Sequence, residues 1–262
     1  MMPVEFYLLG PPTLRIAGQP THLRSAKTLA LLAYLALEPN TAHSREKLVG
    51  LLWGESPEAH ARLSLRQFLY SIRQTLGDLG VDCLTLKKRN VAFRLQPDVW
   101  VDAVEFMALA TREGEPPDAL RRAAQLYRGL FLEGIAVSDS LAFEDWLFLR
   151  RDAFTQHALG ALHALAEGLI RRGNYPDAMS FAQRLVSMDA SHEGGHRCLM
   201  HCHAALDDLS AVRRQYRLCA DVLSRQLGVE PTAETQKLYR QLMAGKKDDS
   251  TSESLAGNLT PQ

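Results

Sequence analysis

The segment Pro57–Gly77, PEAHARLSLRQFLYSIRQTLG, constrains the fold more than any other stretch of this chain. At about 100° per residue, Ala61, Leu65, Phe68, Leu69, Ile72 and Leu76 share one side of a helix. Arg62, Arg66 and Arg73 form a stripe beside that side, and Gln67, Tyr70, Ser71 and Gln74 continue round the polar arc. The ends agree with the period. Ser56 is placed to cap the first free N–H groups and Pro57 suits the first helical position. Glu58 suits the positive end of the helix dipole, and Gly77 supplies a stop. Such a helix must bury its apolar side against neighbours and leave its arginines in solvent.

The flanking sequence supplies both the neighbours and a second basic element. Lys27–Leu37, KTLALLAYLAL, predicts a helix opened by Ser25 and closed by Pro39-Asn40. Ser44 opens a shorter amphipathic segment with Leu48, Leu51 and Leu52, closed by Trp53-Gly54. The second and third helices are thus joined by a short turn, as a helix-turn-helix requires. Downstream, Leu84, Leu86, Val91, Phe93 and Leu95 alternate with other residues, predicting two strands with Lys87, Lys88, Arg89 and Asn90 about their turn. VEFYLLG and PTLRIAG near the start predict short strands packed on the helices. A helix followed by a basic hairpin is the layout of a winged helix-turn-helix, and consecutive cations at the hairpin tip suit phosphate contacts on double-stranded DNA. Arg66, Gln67, Tyr70 and Gln74 are the candidates for base edges. Arg62, Arg73, Lys87, Lys88 and Arg89 are the candidates for phosphates.

Charge is divided along the chain. The whole is neutral, but residues 1–97 hold 12 Lys+Arg against 7 Asp+Glu, while residues 98–262 hold 18 against 23. A basic front and an acidic back fit a DNA-binding part joined to a protein-binding part. The length suffices for two domains, each with its own core. Neither a signal peptide nor an apolar span of membrane length is found, and the four cysteines form no disulfide-like framework, so the expectation is a cytoplasmic protein without membrane attachment.

Gln96-Pro97-Asp98 marks the expected boundary. Beyond it the pattern is helical: Asp102 with Glu105 resembles a capping box, Pro116-Pro117-Asp118 opens a helix through Tyr127, and a long helical stretch runs from Leu141 to Arg172. Asn174-Tyr175-Pro176-Asp177 and Asp208-Leu209-Ser210-Ala211 then open helices 34 residues apart, the tetratricopeptide period. Repeats of this kind stack into a surface that binds proteins or peptides. The expected architecture is therefore mainly α. A winged helix-turn-helix with a small β-sheet and a wing hairpin occupies 1–97, an all-α tetratricopeptide-like domain occupies 98–245, and residues 246–262 form a disordered polar tail or linker.

These pieces together resemble the SARP-type bacterial transcriptional activators, which join an OmpR-like winged helix to a bacterial transcriptional activator domain. The resemblance covers about residues 4–244. It rests on KTLALLAYLAL, LLWGESPEAHARLSLRQFLYSIRQTLG, VWVDAVEF, LAFEDWLFLRRDAF, GNYPDAMSFAQRLVSMDASHEGGHRCLM and QLGVEPTAETQKLY. It implies an activator that binds repeated promoter sites, helps engage RNA polymerase and forms homo-oligomers on DNA through its helical domain, which serves oligomerisation or regulation. Leu63 and Phe68 depart from the polar residues common in the family's reading helix, so base preference is not carried over. The family also forms the front of longer ATPase-bearing regulators, but no G-x-x-x-x-G-K-[ST] loop occurs here. The alternative reading is a protein-interaction or signalling scaffold whose winged domain has lost DNA binding. No cofactor, metal site or catalytic residue is expected. The run HEGGHRCLMHCH lacks a C-x-x-C pair, its His192/His196 and Cys198/Cys202 pairs point in different directions, and no G-x-S-x-G elbow is present.

Overall fold

The computed structural model describes residues 4–21, 25–77, 80, 82–111, 117–137 and 139–244. The expected disordered tail, 246–262, lies outside the described residues. The chain divides into two compact units between Ala158 and Leu159.

In the first unit, β1 (Val4–Tyr7), β2 (Thr13–Ile16) and β3 (Gln19–Thr21) form an antiparallel meander. Alternation decides its faces: Val4, Phe6, Leu14 and Ile16 are buried, whereas Arg15 is exposed. Ala17 and Gly18 (φ +50° and +77°) connect β2 to β3, both in the left-handed region that a two-residue hairpin turn requires. Three helices follow: α1 (Ala26–Leu37), α2 (Arg45–Trp53) and α3 (Glu58–Gly77). The caps expected of Ser25 and Ser44 are present, whereas no Ser56 side-chain cap of α3 is found among the described residues. The Ser25 hydroxyl accepts from Thr28 N–H and the Ser44 hydroxyl from Lys47 N–H, each at 3.1 Å. α3 buries Ala61, Leu65, Leu69, Ile72 and Leu76, the stripe its period predicts. Phe68 is half-buried, with its ring edge-on to Trp53 at 5.3 Å between centroids. It belongs to the packing between α2 and α3 rather than to the exposed arc.

The wing hairpin is β5 (Leu84–Leu86) and β6 (Asn90–Phe93). Leu95, expected to extend its second strand, lies beyond it and is 39% exposed. The two-residue strand β4 (His43–Ser44) pairs with β6, giving a sheet in the order β4-β6-β5. Phe93 packs edge-on against Phe6 at 5.4 Å and ties the wing to the first sheet.

Residues beyond 97 complete this unit. β7 (Val99–Val101) adds to the first sheet parallel to β1, in register Val4 opposite Val99, giving the order β3-β2-β1-β7. α4 (Asp102–Ala110) follows without a turn. Here the expected capping box is not formed. The buried Asp102 carboxylate accepts from its neighbour Ala103 N–H at 2.7 Å and reaches across to Leu8 N–H at 2.7 Å and Leu9 N–H at 3.1 Å. Glu105 is drawn elsewhere, accepting from the Trp100 indole and from Arg122 Nε at 2.9 Å. The N–H groups just past β1 have no ladder partner, and their need for an acceptor outweighs a local cap. After α5 (Pro117–Leu126), the long helix α6 (Leu141–Arg171) begins in this unit, with Trp146 against Phe143, Phe131 and Tyr34. Gly160 and Gly168 do not interrupt α6.

The second unit holds the remainder of α6 and four further helices: α7 (Tyr175–Met188), α8 (Glu193–Ala205), α9 (Leu209–Leu227) and α10 (Ala233–Ala244). Asn174 caps α7, accepting from Asp177 N–H, and Asp208 caps α9, accepting from Ala211 N–H. These are the two equivalent starts that the 34-residue spacing predicts. Ala178, Ala182, Leu185, Cys198, Leu199, Val212, Cys219 and Leu223 form buried layers, whereas Leu218 is exposed. Among the described residues no helix is long and apolar enough to cross a membrane.

Candidate nucleic-acid interface

The turn between α2 and α3 turns the arginine stripe of α3 toward the wing. A cleft of about 1030 Å³ lies between them, lined from α3 by Glu58, Arg62, Leu65 and Arg66 and from the wing by Lys88, Arg89 and Asn90. Ser44, Arg45 and Glu46 at the start of α2, with Val49 and Gly50 one turn on, complete its wall. The wing is held to this wall by backbone and side chain together. Arg45 N–H donates to the Arg89 carbonyl at 2.9 Å, and Arg45 Nε donates to the Lys87 carbonyl at 3.2 Å. Lys87 N–H closes the hairpin on the Asn90 carbonyl at 2.9 Å, which leaves the side chains of Lys87, Lys88 and Arg89 exposed.

All nine residues singled out from the sequence are exposed on these two elements. Arg62, Arg66, Lys88 and Arg89 share the cleft; Lys87 of the hairpin and Gln67, Tyr70, Arg73 and Gln74 of α3 lie outside its lining. Arg62 forms an i,i+4 ion pair with Glu58. An exposed pair of this kind contributes little, about 0.3–0.5 kcal/mol, so it yields readily to a phosphate. Among the described residues, the side chains of Arg66, Arg73, Lys88 and Arg89 have no carboxylate partner. Uncompensated cations on two elements flanking one groove can neutralise phosphates, and the start of α2 adds the positive end of its dipole.

Arg45 is the residue that sequence reading missed. Its place directly after the cap Ser44 is that of an ordinary first-turn residue. Its role depends on the β4–β6 pairing, which two residues of strand cannot announce. Leu63 stays on the surface of α3, 47% exposed.

His192, His196 and the three cysteines of the second unit are engaged in capping and packing. His192 caps α8 with Nδ1 accepting from Gly195 N–H at 3.1 Å. The fully buried His196 bridges the Ala190 carbonyl (2.9 Å) and the Gln215 amide (2.6 Å). Burial pushes the Cys198 thiol up to about 12 and those of Cys202 and Cys219 up to about 11, which removes their thiolate chemistry at neutral pH. Among the described residues no three such side chains converge on a point.

Comparison with known proteins places this geometry. Residues 101–243 match the bacterial transcriptional activator domain, and residues 18–94 match the C-terminal domain of transcriptional regulatory proteins. The chain belongs to the SARP-type bacterial transcriptional activators. This SARP-type chain is 30% identical over 257 residues to the transcriptional regulatory protein MoaR1 of Mycobacterium tuberculosis, covering 92% of itself and 79% of that protein. It is 26% identical to the transcriptional regulator RedD of Streptomyces coelicolor, covering 92% and 71%. Its fold matches a structure of Mycobacterium tuberculosis EmbR, solved in complex with a low-affinity phosphopeptide. The TM-score is 0.75 at 23% identity, over 98% of this chain and 70% of that one. The SARP-type chain is thus a DNA-binding transcriptional regulator with a winged helix-turn-helix and a helical activator domain.

Proposed function

We propose that α3 and the wing bind DNA as one surface, with α3 in the major groove and the wing tip on the flanking backbone. The observation that carries this reading is the cleft on which Arg62, Arg66, Lys88 and Arg89 converge from two elements. In this arrangement Arg66, Gln67, Tyr70 and Gln74 read base edges. Arg62, Arg73, Lys87, Lys88 and Arg89 hold phosphates, and Arg45 fixes the wing at its working distance. We further infer that the winged part, residues 1–97, supplies DNA recognition, and that the helical part, 98–245, serves oligomerisation on repeated sites or contact with RNA polymerase, in the cytoplasm. The stacked helix pairs opened by Asn174 and Asp208 support that division, because such stacks present a continuous surface to a protein partner.

Arg66 gives the sharpest test. An arginine paired with guanine through two hydrogen bonds discriminates by about 1–3 kcal/mol. Arg66→Ala is expected to weaken binding to a selected promoter fragment about 5- to 150-fold more than binding to a random duplex of equal length. Equal losses on both duplexes would remove Arg66 from base reading.

A further inference from the structure

The arc of α3 that turns away from the core is not purely polar. Leu63 is 47% exposed and Tyr70, one heptad on, is 68% exposed. Leu63 lines a shallow depression with Glu58, Ala59, Arg62 and Arg66, so an apolar side chain lies among the groups assigned to DNA. Among the described residues, the core of its own unit does not include it. The buried stripe of α3 is complete without Leu63, and the neighbouring departure, Phe68, is accounted for by its contact with Trp53. An exposed leucine between Arg62, held only by an exposed ion pair to Glu58, and the unpaired Arg66 meets one kind of apolar group in a duplex groove, the 5-methyl of thymine.

We propose that Leu63 is a specificity residue that reads a thymine methyl group in the major groove. The proposal rests on the assignment of α3 to the major groove. It specifies what that assignment leaves open: the site contains a thymine opposite the first half of α3, between the bases met by Arg66 and the backbone held by Arg62. Burying one methyl group contributes about 0.8 kcal/mol, and the same methyl removed from DNA is expected to lower affinity roughly fourfold.

The test uses the full chain. Genomic fragments that it retains are sequenced, the shared site is made as a duplex, and each thymine is replaced in turn by deoxyuridine, which removes only the methyl group. Fluorescence anisotropy then compares the wild-type chain with Leu63→Ala, an exposed substitution to a better helix former that leaves the fold intact. The expected result is a weakening of roughly threefold or more at one thymine for the wild type, and no dT-over-dU preference at that position for Leu63→Ala. The proposal is overturned if every deoxyuridine duplex binds the wild type as well as its parent, if Leu63→Ala keeps the preference, or if the selected site has no thymine. Failure to retain any shared site would overturn the DNA-reading assignment itself. That outcome is distinct, because it precedes any comparison of thymine with uracil.

Discussion

Replacing Asp102 by alanine is expected to destabilise the first unit without touching the proposed DNA surface. The carboxylate is buried and accepts from Leu8 N–H, Leu9 N–H and Ala103 N–H. Alanine leaves the first two donors, on buried residues, without an acceptor. Each unpaired buried N–H costs about 1–3 kcal/mol. Arg128, 3.3 Å from the carboxylate and 41% exposed, re-enters solvent at little cost. Removal of a buried charge offsets part of the loss, which leaves a net destabilisation of about 2–4 kcal/mol. With a urea slope of roughly 2 kcal/mol/M, the midpoint should fall by about 1–2 M. Trp53, Trp100 and Trp146 all precede Ala158, so tryptophan fluorescence reports this unit alone. Asp102→Asn keeps one accepting oxygen and should lose less. A midpoint within about 0.3 M of wild type for Asp102→Ala would refute the argument, since it would mean that water satisfies those N–H groups. The same reasoning bears on fragments. Residues 1–97 lack both β7 and Asp102, so this fragment should unfold at a lower temperature than residues 1–158, and equal melting temperatures would count against the completing role of β7.

Two further perturbations separate the parts of the account. Replacing Lys87, Lys88 and Arg89 together by alanine should flatten the slope of log affinity against log salt by about 0.9 per lost phosphate contact, up to about 2.7, with little change in sequence preference; an unchanged slope would dismiss the wing as a phosphate contact. Acidification should destabilise both units. Burial lowers the proton affinity of His43 in the first unit and of His192 and His196 in the second, so the native chain binds protons less tightly than the unfolded one. Stability held above the ordinary histidine value of 6.5 is therefore lost as pH falls below it, whereas Asp102, its carboxyl pushed up by burial, works in the opposite direction. His192→Asn, which keeps a cap acceptor but does not titrate, should make the melting temperature of residues 159–244 less sensitive between pH 7.5 and 5.5; an unchanged sensitivity would show that the His192 cap is not part of the acid response.

The parts of the fold legible in the sequence are those set by local chemistry. Ser25, Ser44, Asn174 and Asp208 cap the helices they were expected to cap, and the period of α3 identifies its buried stripe, with Phe68 only half-buried. The non-local contacts were not legible. β7 has three residues and pairs with a strand 95 positions earlier, Val4 opposite Val99, so its own sequence carries no sign of its partner. The Asp102–Glu105 spacing fits a local capping box equally well, and only the unpaired N–H groups after β1 divert the carboxylate. At the candidate site, residue type and helix period were enough to place the arginines and the wing cations on the surface. That Arg62 and Arg66 share a cleft with Lys88 and Arg89, and that Arg45 fixes its width, follows from β4 pairing with β6.

The most direct test of the central claim is a selection of genomic fragments by the full chain, sequenced in parallel with a variant carrying alanine at Arg66, Gln67, Tyr70 and Gln74. All four positions are exposed, so the variant should fold as the wild type does. The account predicts that wild-type fragments share a site, repeated in tandem, and that the variant retains salt-sensitive binding without enriching that site. Enrichment of the same site by the variant, or of none by the wild type, would contradict base reading by α3.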